Sequence, residues 1–294
     1  MRNLPRLVTA MITPFKEDYS VDYEGVQKLA LQLIECGSEG LVVSGTTGES
    51  PTLSIQEKLD LYRAVKEAVG DKGFVIAGTG SNSTLDSVKL TEEAYKCGVD
   101  GVMLVTPYYN KPNQEGLYQH FNAIASSVAL PTILYNVPGR TGVNLMPDTV
   151  RRLSEVPNIV AIKEASGNLE QVSILKTILP DNFCIYSGDD SLTLPMLAVG
   201  GYGIISVVAH IAGKQIHEML TAYLNGDVRK AEQLHIKLFP LFKALFVTAN
   251  PIPVKKALAI QGRPSGKLRL PLVEATNAET EIISEAMRKV GVLE

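Results

Sequence analysis

Lys96-Cys-Gly-Val-Asp-Gly-Val-Met-Leu-Val105 joins the end of an amphipathic stretch, a glycine turn and an apolar run. Gly98 stands where a helix C-terminus needs a left-handed residue. Val102–Val105 is short and apolar, as a buried strand is. The same grammar recurs upstream, at Glu35-Cys-Gly-Ser-Glu-Gly-Leu-Val-Val-Ser44 and Ala68-Val-Gly-Asp-Lys-Gly-Phe-Val-Ile-Ala77, with Gly37 and Gly70 in the turns. Downstream, proline replaces glycine at Leu130-Pro-Thr-Ile-Leu134, Val156-Pro-Asn-Ile-Val160 and Leu179-Pro-Asp-Asn-Phe183.

Counting these runs predicts eight strands: Leu7–Ile12, Leu41–Val43, Phe74–Ala77, Val102–Val105, Thr132–Tyr135, Ile159–Ile162, Phe183–Tyr186 and Gly203–Val207. Helical stretches separate them at the spacing of βαβ units. Ser54-Ile-Gln-Glu57 is a capping box at one helix start, and Ser83-Thr-Leu-Asp86 resembles one. Uniformly apolar strands in such units point to an α/β fold, a closed (β/α)8 TIM barrel, with an open doubly wound sheet as the alternative. Residues 1–212 would form the barrel core. Residues 213–294 exceed one last barrel helix and predict a small C-terminal helical extension, entered at Asn250-Pro-Ile-Pro253.

Composition narrows the function classes. The 294 residues are 45% hydrophobic and 20% charged, which fits a folded enzyme and not a disordered chain. The net charge of −3 and the lack of a long basic run argue against nucleic acid. No run approaches the ~18 apolar residues of a membrane span, and Leu7–Ile12 is too short for a signal peptide. Cys36, Cys97 and Cys184 are few, odd in number and far apart. They predict no disulfide framework, a reducing cytoplasm and buried thiols. The four histidines show no metal-ligand spacing, and neither Gly78-Thr-Gly80 nor Gly200-Gly-Tyr-Gly203 completes a dinucleotide fingerprint, so no metal and no nicotinamide cofactor is expected.

In a barrel of this class, residues at the C-terminal ends of the strands carry the chemistry. The sixth run, Ile159-Val-Ala-Ile-Lys163, ends in a lysine. Burial disfavours an ammonium, and a neutral amine forms imines with ketones and aldehydes. The fifth run ends in Tyr135, a phenol able to shuttle protons there, or a core ring. The second is followed by Gly45-Thr46-Thr47-Gly48, whose N–H groups and hydroxyls suit a small carboxylate. Arg140, in a Gly- and Thr-rich loop, suits a second carboxylate. Asp189 and Asp190 diverge in extended chain, so a helix-capping role is the better reading. Together these residues suit imine chemistry on a small 2-oxo acid.

Three of these stretches, Gly40-Leu-Val-Val-Ser-Gly-Thr-Thr-Gly-Glu49, Tyr135-Asn-Val-Pro-Gly-Arg-Thr-Gly142 and Ile162-Lys-Glu-Ala-Ser-Gly167, resemble the dihydrodipicolinate synthase family in order and spacing. That family belongs to the pyruvate-handling class I aldolases. The resemblance implies a lyase that joins pyruvate to L-aspartate 4-semialdehyde, in lysine and diaminopimelate biosynthesis, without metal or organic cofactor. It gives Lys163 the pyruvate imine, Thr46 and Thr47 the pyruvate carboxylate, and Tyr135, Thr46 and Tyr109 a proton relay, with Tyr109 supplied by a neighbouring subunit. Arg140 would hold the semialdehyde carboxylate, and the main chain at Gly188 and Ile205 would line the pocket. It also implies a homotetramer, a dimer of dimers. The rival readings are a related aldolase acting on a sugar acid and a non-catalytic 2-oxo-acid binding protein. Arg140 argues against the first, because a polyol has no second carboxylate, and the Lys163–Tyr135 pair against the second. Ser50, Asn82 and Tyr108 match the family's L-lysine cleft, but Pro51, Ile55, Lys58 and Asp86 depart from lysine-sensitive bacterial members, so feedback inhibition is expected to be weak or absent.

Overall fold

The structure is a computed structural model and describes residues 4–293. Among the described residues, the strands β1 (Leu7–Ala10), β2 (Gly40–Val43), β3 (Phe74–Gly78), β4 (Gly101–Val105), β5 (Thr132–Asn136), β6 (Ile159–Glu164), β7 (Cys184–Ser187) and β8 (Gly203–Ser206) follow one another around a closed barrel. The open-sheet alternative is thereby excluded. Every predicted strand is present, and the differences lie at the ends. β1 stops at Ala10, although the Met11 N–H still donates to Val42 O at 3.0 Å. β6 runs two residues further than the apolar run, because Lys163 and Glu164 still pair with Tyr135 and Asn136 of β5.

The local signals act as their chemistry requires. Gly37, Gly70 and Gly98 have φ of +100°, +52° and +75°, which a side chain would resist. Ser54 and Glu57 cap the helix Ile55–Val69 reciprocally, and Ser83 accepts from the Asp86 N–H at the start of Thr84–Lys96. The cysteines correct one expectation. All three are partly exposed, not buried. Cys36 and Cys97 are the C-caps of their helices, where the chain turns outward, and Cys184 is the first residue of β7.

Contacts group the chain into two compact units. Phe74–Ile205 contains β3 to β7 and β8 up to Ile205, and its core lies between strands and helices, where Leu104, Leu134 and Ile162 meet Leu117, Phe121 and Leu175. Burying each such side chain contributes about 1.5–3 kcal/mol. The second unit combines the chain up to Gly73 with the chain from Ser206. Here β1 pairs in parallel with β2, and four C-terminal helices follow: Ala209–Leu224, Val228–Ala244, Ile252–Ile260 and Asn277–Lys289. The second packs on the first, and the last packs on both the second and the third.

Candidate active site

Lys163 and Tyr135 are Cα partners across β5 and β6, and Lys163 in turn partners Tyr186 of β7. The strand alternation therefore puts their side chains on one face. Lys163 is 5% exposed, and its Nζ lies 4.3 Å from the centroid of the Tyr135 ring. No ion pair or hydrogen bond to its Nζ is found among the described residues, so the ring face is its main electrostatic neighbour. Beside it, Gly188 leaves room that a side chain would fill. A Cβ there would stand 3.1 Å from Lys163 Cε and 2.6 Å from Ala165 Cβ. The Gly188 N–H donates to Glu164 O at 2.8 Å, which holds this backbone against the lysine. A buried, unpaired amine, a phenol and a close-packed glycine are thus assembled at the ends of three adjacent strands.

The loop after β5 carries Arg140 on a single helical turn, Pro138–Thr141, closed by Gly142 at φ +72°. Arg140 is exposed and has no carboxylate partner among the described residues, so its fork is available to a ligand. Tyr109, in the loop after β4, is 89% exposed and sits at φ +74°. The loop around it is tied down: Asn82 Nδ2 donates to Tyr108 O at 3.2 Å, and Asn110 Nδ2 donates to Asn82 O at 2.9 Å. Within the single chain the Tyr109 ring touches little; the fixed backbone presents it outward. Asp189 is the cap expected of it, accepting from the Ser191 N–H at 2.8 Å.

In the other unit, Gly45–Ser50 folds into tight turns after β2, with Gly48 N–H to Gly45 O at 3.1 Å and Glu49 N–H to Thr46 O at 3.1 Å. Thr47 is buried, and its Oγ1 accepts from Asn250 Nδ2 at 2.9 Å. The Thr13 hydroxyl donates to Gly48 O at 2.7 Å. Nothing among the described residues accepts from the N–H of Thr46 or Thr47, which leaves both for an anion. Ile205 is buried in β8.

Two buried groups had no role in the sequence reading. Glu49, read only as part of the threonine loop, is buried at φ +55° and lies 2.6 Å from Lys255 Nζ. Glu164, the neighbour of Lys163, is 2% exposed with no cation beside it among the described residues. The available signal for Glu164 was its place in a buried strand, where alternation turns it away from Lys163 but not toward water. For Glu49 and Lys255, 206 residues apart in the chain, no local pattern exists.

The model of the dihydrodipicolinate synthetase family matches residues 3–290. The 4-hydroxy-tetrahydrodipicolinate synthase of Desulforamulus reducens is 60% identical, over 98% of this chain and 98% of its own length. That of Moorella thermoacetica is 58% identical, over 98% of this chain and 99% of its own. The crystal structure of the enzyme from Cyanidioschyzon merolae with lysine bound is 47% identical, covers 98% of both chains and superposes with a TM-score of 0.96.

Proposed function

The chain belongs to the dihydrodipicolinate synthetase family, and we propose that its reaction runs through an imine on Lys163. The reaction is the condensation of pyruvate with L-aspartate 4-semialdehyde to 4-hydroxy-tetrahydrodipicolinate, a lyase step of lysine and diaminopimelate biosynthesis. The observation that carries the proposal is the buried Lys163 Nζ over the Tyr135 ring with no ion-pair partner among the described residues.

Lys163 Nζ attacks the ketone carbon of pyruvate, and the carbinolamine loses water to give a protonated imine. The iminium is an electron sink, so the methyl carbon loses a proton and becomes an enamine. The enamine carbon attacks the aldehyde, whose oxygen takes up a proton. The amine of the former semialdehyde then adds to the imine carbon, expels Lys163 as a free amine and closes the six-membered ring. Tyr135, Thr46 and Tyr109 move the protons. Tyr109, outward on its fixed loop, acts in a second copy of the chain, within a homotetramer built as a dimer of dimers. The N–H groups and hydroxyls of Thr46 and Thr47 take the pyruvate carboxylate, Arg140 takes the carboxylate of the semialdehyde, and the main chain at Gly188 and Ile205 lines the pocket. No metal or organic cofactor enters, because the imine itself supplies the electrophile. Among the described residues no helix is long and apolar enough to cross a membrane, which is compatible with a cytoplasmic enzyme.

Borohydride reduction in the presence of pyruvate, followed by peptide mass spectrometry, tests the nucleophile. A stable adduct is expected on Lys163, and one on another lysine would overturn the assignment. A product assay with aspartate semialdehyde beside N-acetylneuraminate and 2-keto-3-deoxygluconate tests the substrate. L-lysine is expected to inhibit weakly or not at all. Lys58 is half-buried, and a ligand's own ammonium beside its ammonium would meet a like charge. Half-inhibition below about a millimolar, an affinity worth roughly 4 kcal/mol, would contradict this.

A further inference from the structure

Glu164 follows Lys163 in β6 and, by strand alternation, faces the other way. Its Cα partner on β5 is Asn136, just as Tyr135 is the partner of Lys163. The two register steps are adjacent, so whatever fixes one fixes the other.

The carboxylate is held by neutral donors. Asn136 Nδ2 donates to Oε1 and Oε2 at 3.2 and 3.0 Å, Gln171 Nε2 to Oε2 at 3.0 Å, and the Ser166 N–H to Oε1 at 2.7 Å. These partners hold one another as well. Asn136 Nδ2 also meets Asn144 Oδ1 at 2.7 Å, Asn136 Oδ1 accepts from the Leu145 N–H at 2.9 Å, and Asn144 Nδ2 donates to Gln171 Oε1 at 2.8 Å. Only an ionised carboxylate offers acceptors at every position and no donor to conflict with those N–H groups. Burial of such a charge without a cation is tolerated only when its hydrogen bonds are complete.

We propose that Glu164 is a positioning residue for the Lys163 chemistry. Its charged, all-acceptor carboxylate ties β5, β6 and the Ser166 turn together at the step behind the reacting pair, and so sets the relation of the Lys163 amine to the Tyr135 phenol. The proposal rests on the Lys163 imine reading. A misplacement of about 1 Å can cost on the order of 10²-fold in rate, so a network that holds this register acts on turnover more than on stability.

The test uses three variants and three readouts: the rate of borohydride-trapped pyruvate adduct formation, the KM for aspartate semialdehyde and the thermal melting temperature. Glu164→Gln puts an NH2 among converging N–H groups and should slow adduct formation by about 10-fold or more, with the KM for aspartate semialdehyde little changed. Adding Gln171→Glu moves the carboxylate to the other end of the same hydrogen bond and should restore most of the rate. Gln171→Met removes one donor with little change of volume, should slow the rate by a few-fold, and keeps the test decisive where Glu164→Gln folds poorly. Wild-type rates per folded molecule, in Glu164→Gln or in Gln171→Met, would overturn the proposal and leave Glu164 a purely structural group. An adduct on a lysine other than Lys163 in the wild-type protein would instead defeat the reading beneath it.

Discussion

Lys163 and Lys255 are equally deep in the protein, 5% and 3% exposed, yet their surroundings are opposites. Lys255, on the helix Ile252–Ile260, is 2.6 Å from Glu49 Oε1, donates to Lys267 O at 2.6 Å and lies 4.5 Å from the Phe15 centroid. Arg269 covers the same ring at 4.3 Å, its main-chain N–H donates to Glu49 Oε2 at 3.0 Å, and its guanidinium donates to Glu57, whose carboxyl pKa is lowered to about 2 mainly by that side-chain hydrogen bond. Lys163 has an aromatic face and a glycine beside it, and no carboxylate among the described residues. Burial therefore does not identify a nucleophile; the partners do. An amine whose protons are engaged by a carboxylate and a carbonyl is a tie between segments. One left without such partners is available to a ketone.

The largest effect that can break this comparison is on chemistry. Lys163→Ala should abolish both turnover and the borohydride-trapped pyruvate adduct, with Lys255 unlabelled in wild type and variant alike. Labelling of Lys255 would end the distinction. Lys255→Met should instead destabilise. It leaves Glu49 buried without its cation, a loss of about 3–5 kcal/mol in denaturant unfolding, while Lys255→Met with Glu49→Gln should recover much of it. A single variant as stable as wild type would mean that the ion pair holds nothing.

A third consequence concerns pH. Burial lowers the Lys255 pKa to about 8, against the attraction of Glu49. The folded state thus holds this proton less tightly than the unfolded chain, whose lysine titrates near its ordinary value. The group's contribution to stability is then flat below pH 8 and rises between pH 8 and about 10.5. The difference in unfolding free energy between wild type and Lys255→Met should therefore change with pH across that window, because only wild type carries a titrating group there. A constant difference would mean that the buried ammonium titrates as it does in water.

The smallest effect sharpens the other side of the comparison. Tyr135→Phe keeps the ring under Lys163 and removes only the hydroxyl. Melting should be little changed while turnover falls on the order of 10²-fold. Unchanged turnover with a lower melting temperature would make Tyr135 a core ring.

Much of this was readable locally. Each strand was marked by an apolar run behind a glycine or proline turn, because β-strand burial and helix termination are short-range requirements. The ends were less legible. β6 continues through Lys163 and Glu164 because the pairing with β5 continues, and apolarity does not report pairing. Lys163, Tyr135, Arg140 and the threonine loop could be singled out because each interrupts an apolar run or follows one. The partly exposed cysteines show the opposite case, where an apolar or helix-end context suggested burial and position at a helix C-cap, or at the start of β7, decided otherwise.

By itself the chain determined where strands and helices begin and which polar residues stand at strand ends. Those properties depend on neighbours within a few residues. The tertiary structure alone decided that Lys255 would turn inward, that Glu49 would meet it, and that Asn136, Asn144 and Gln171 would close around the Glu164 carboxylate. A charge can be buried only where partners from other segments arrive together. That convergence is a property of the packed fold and not of any local run.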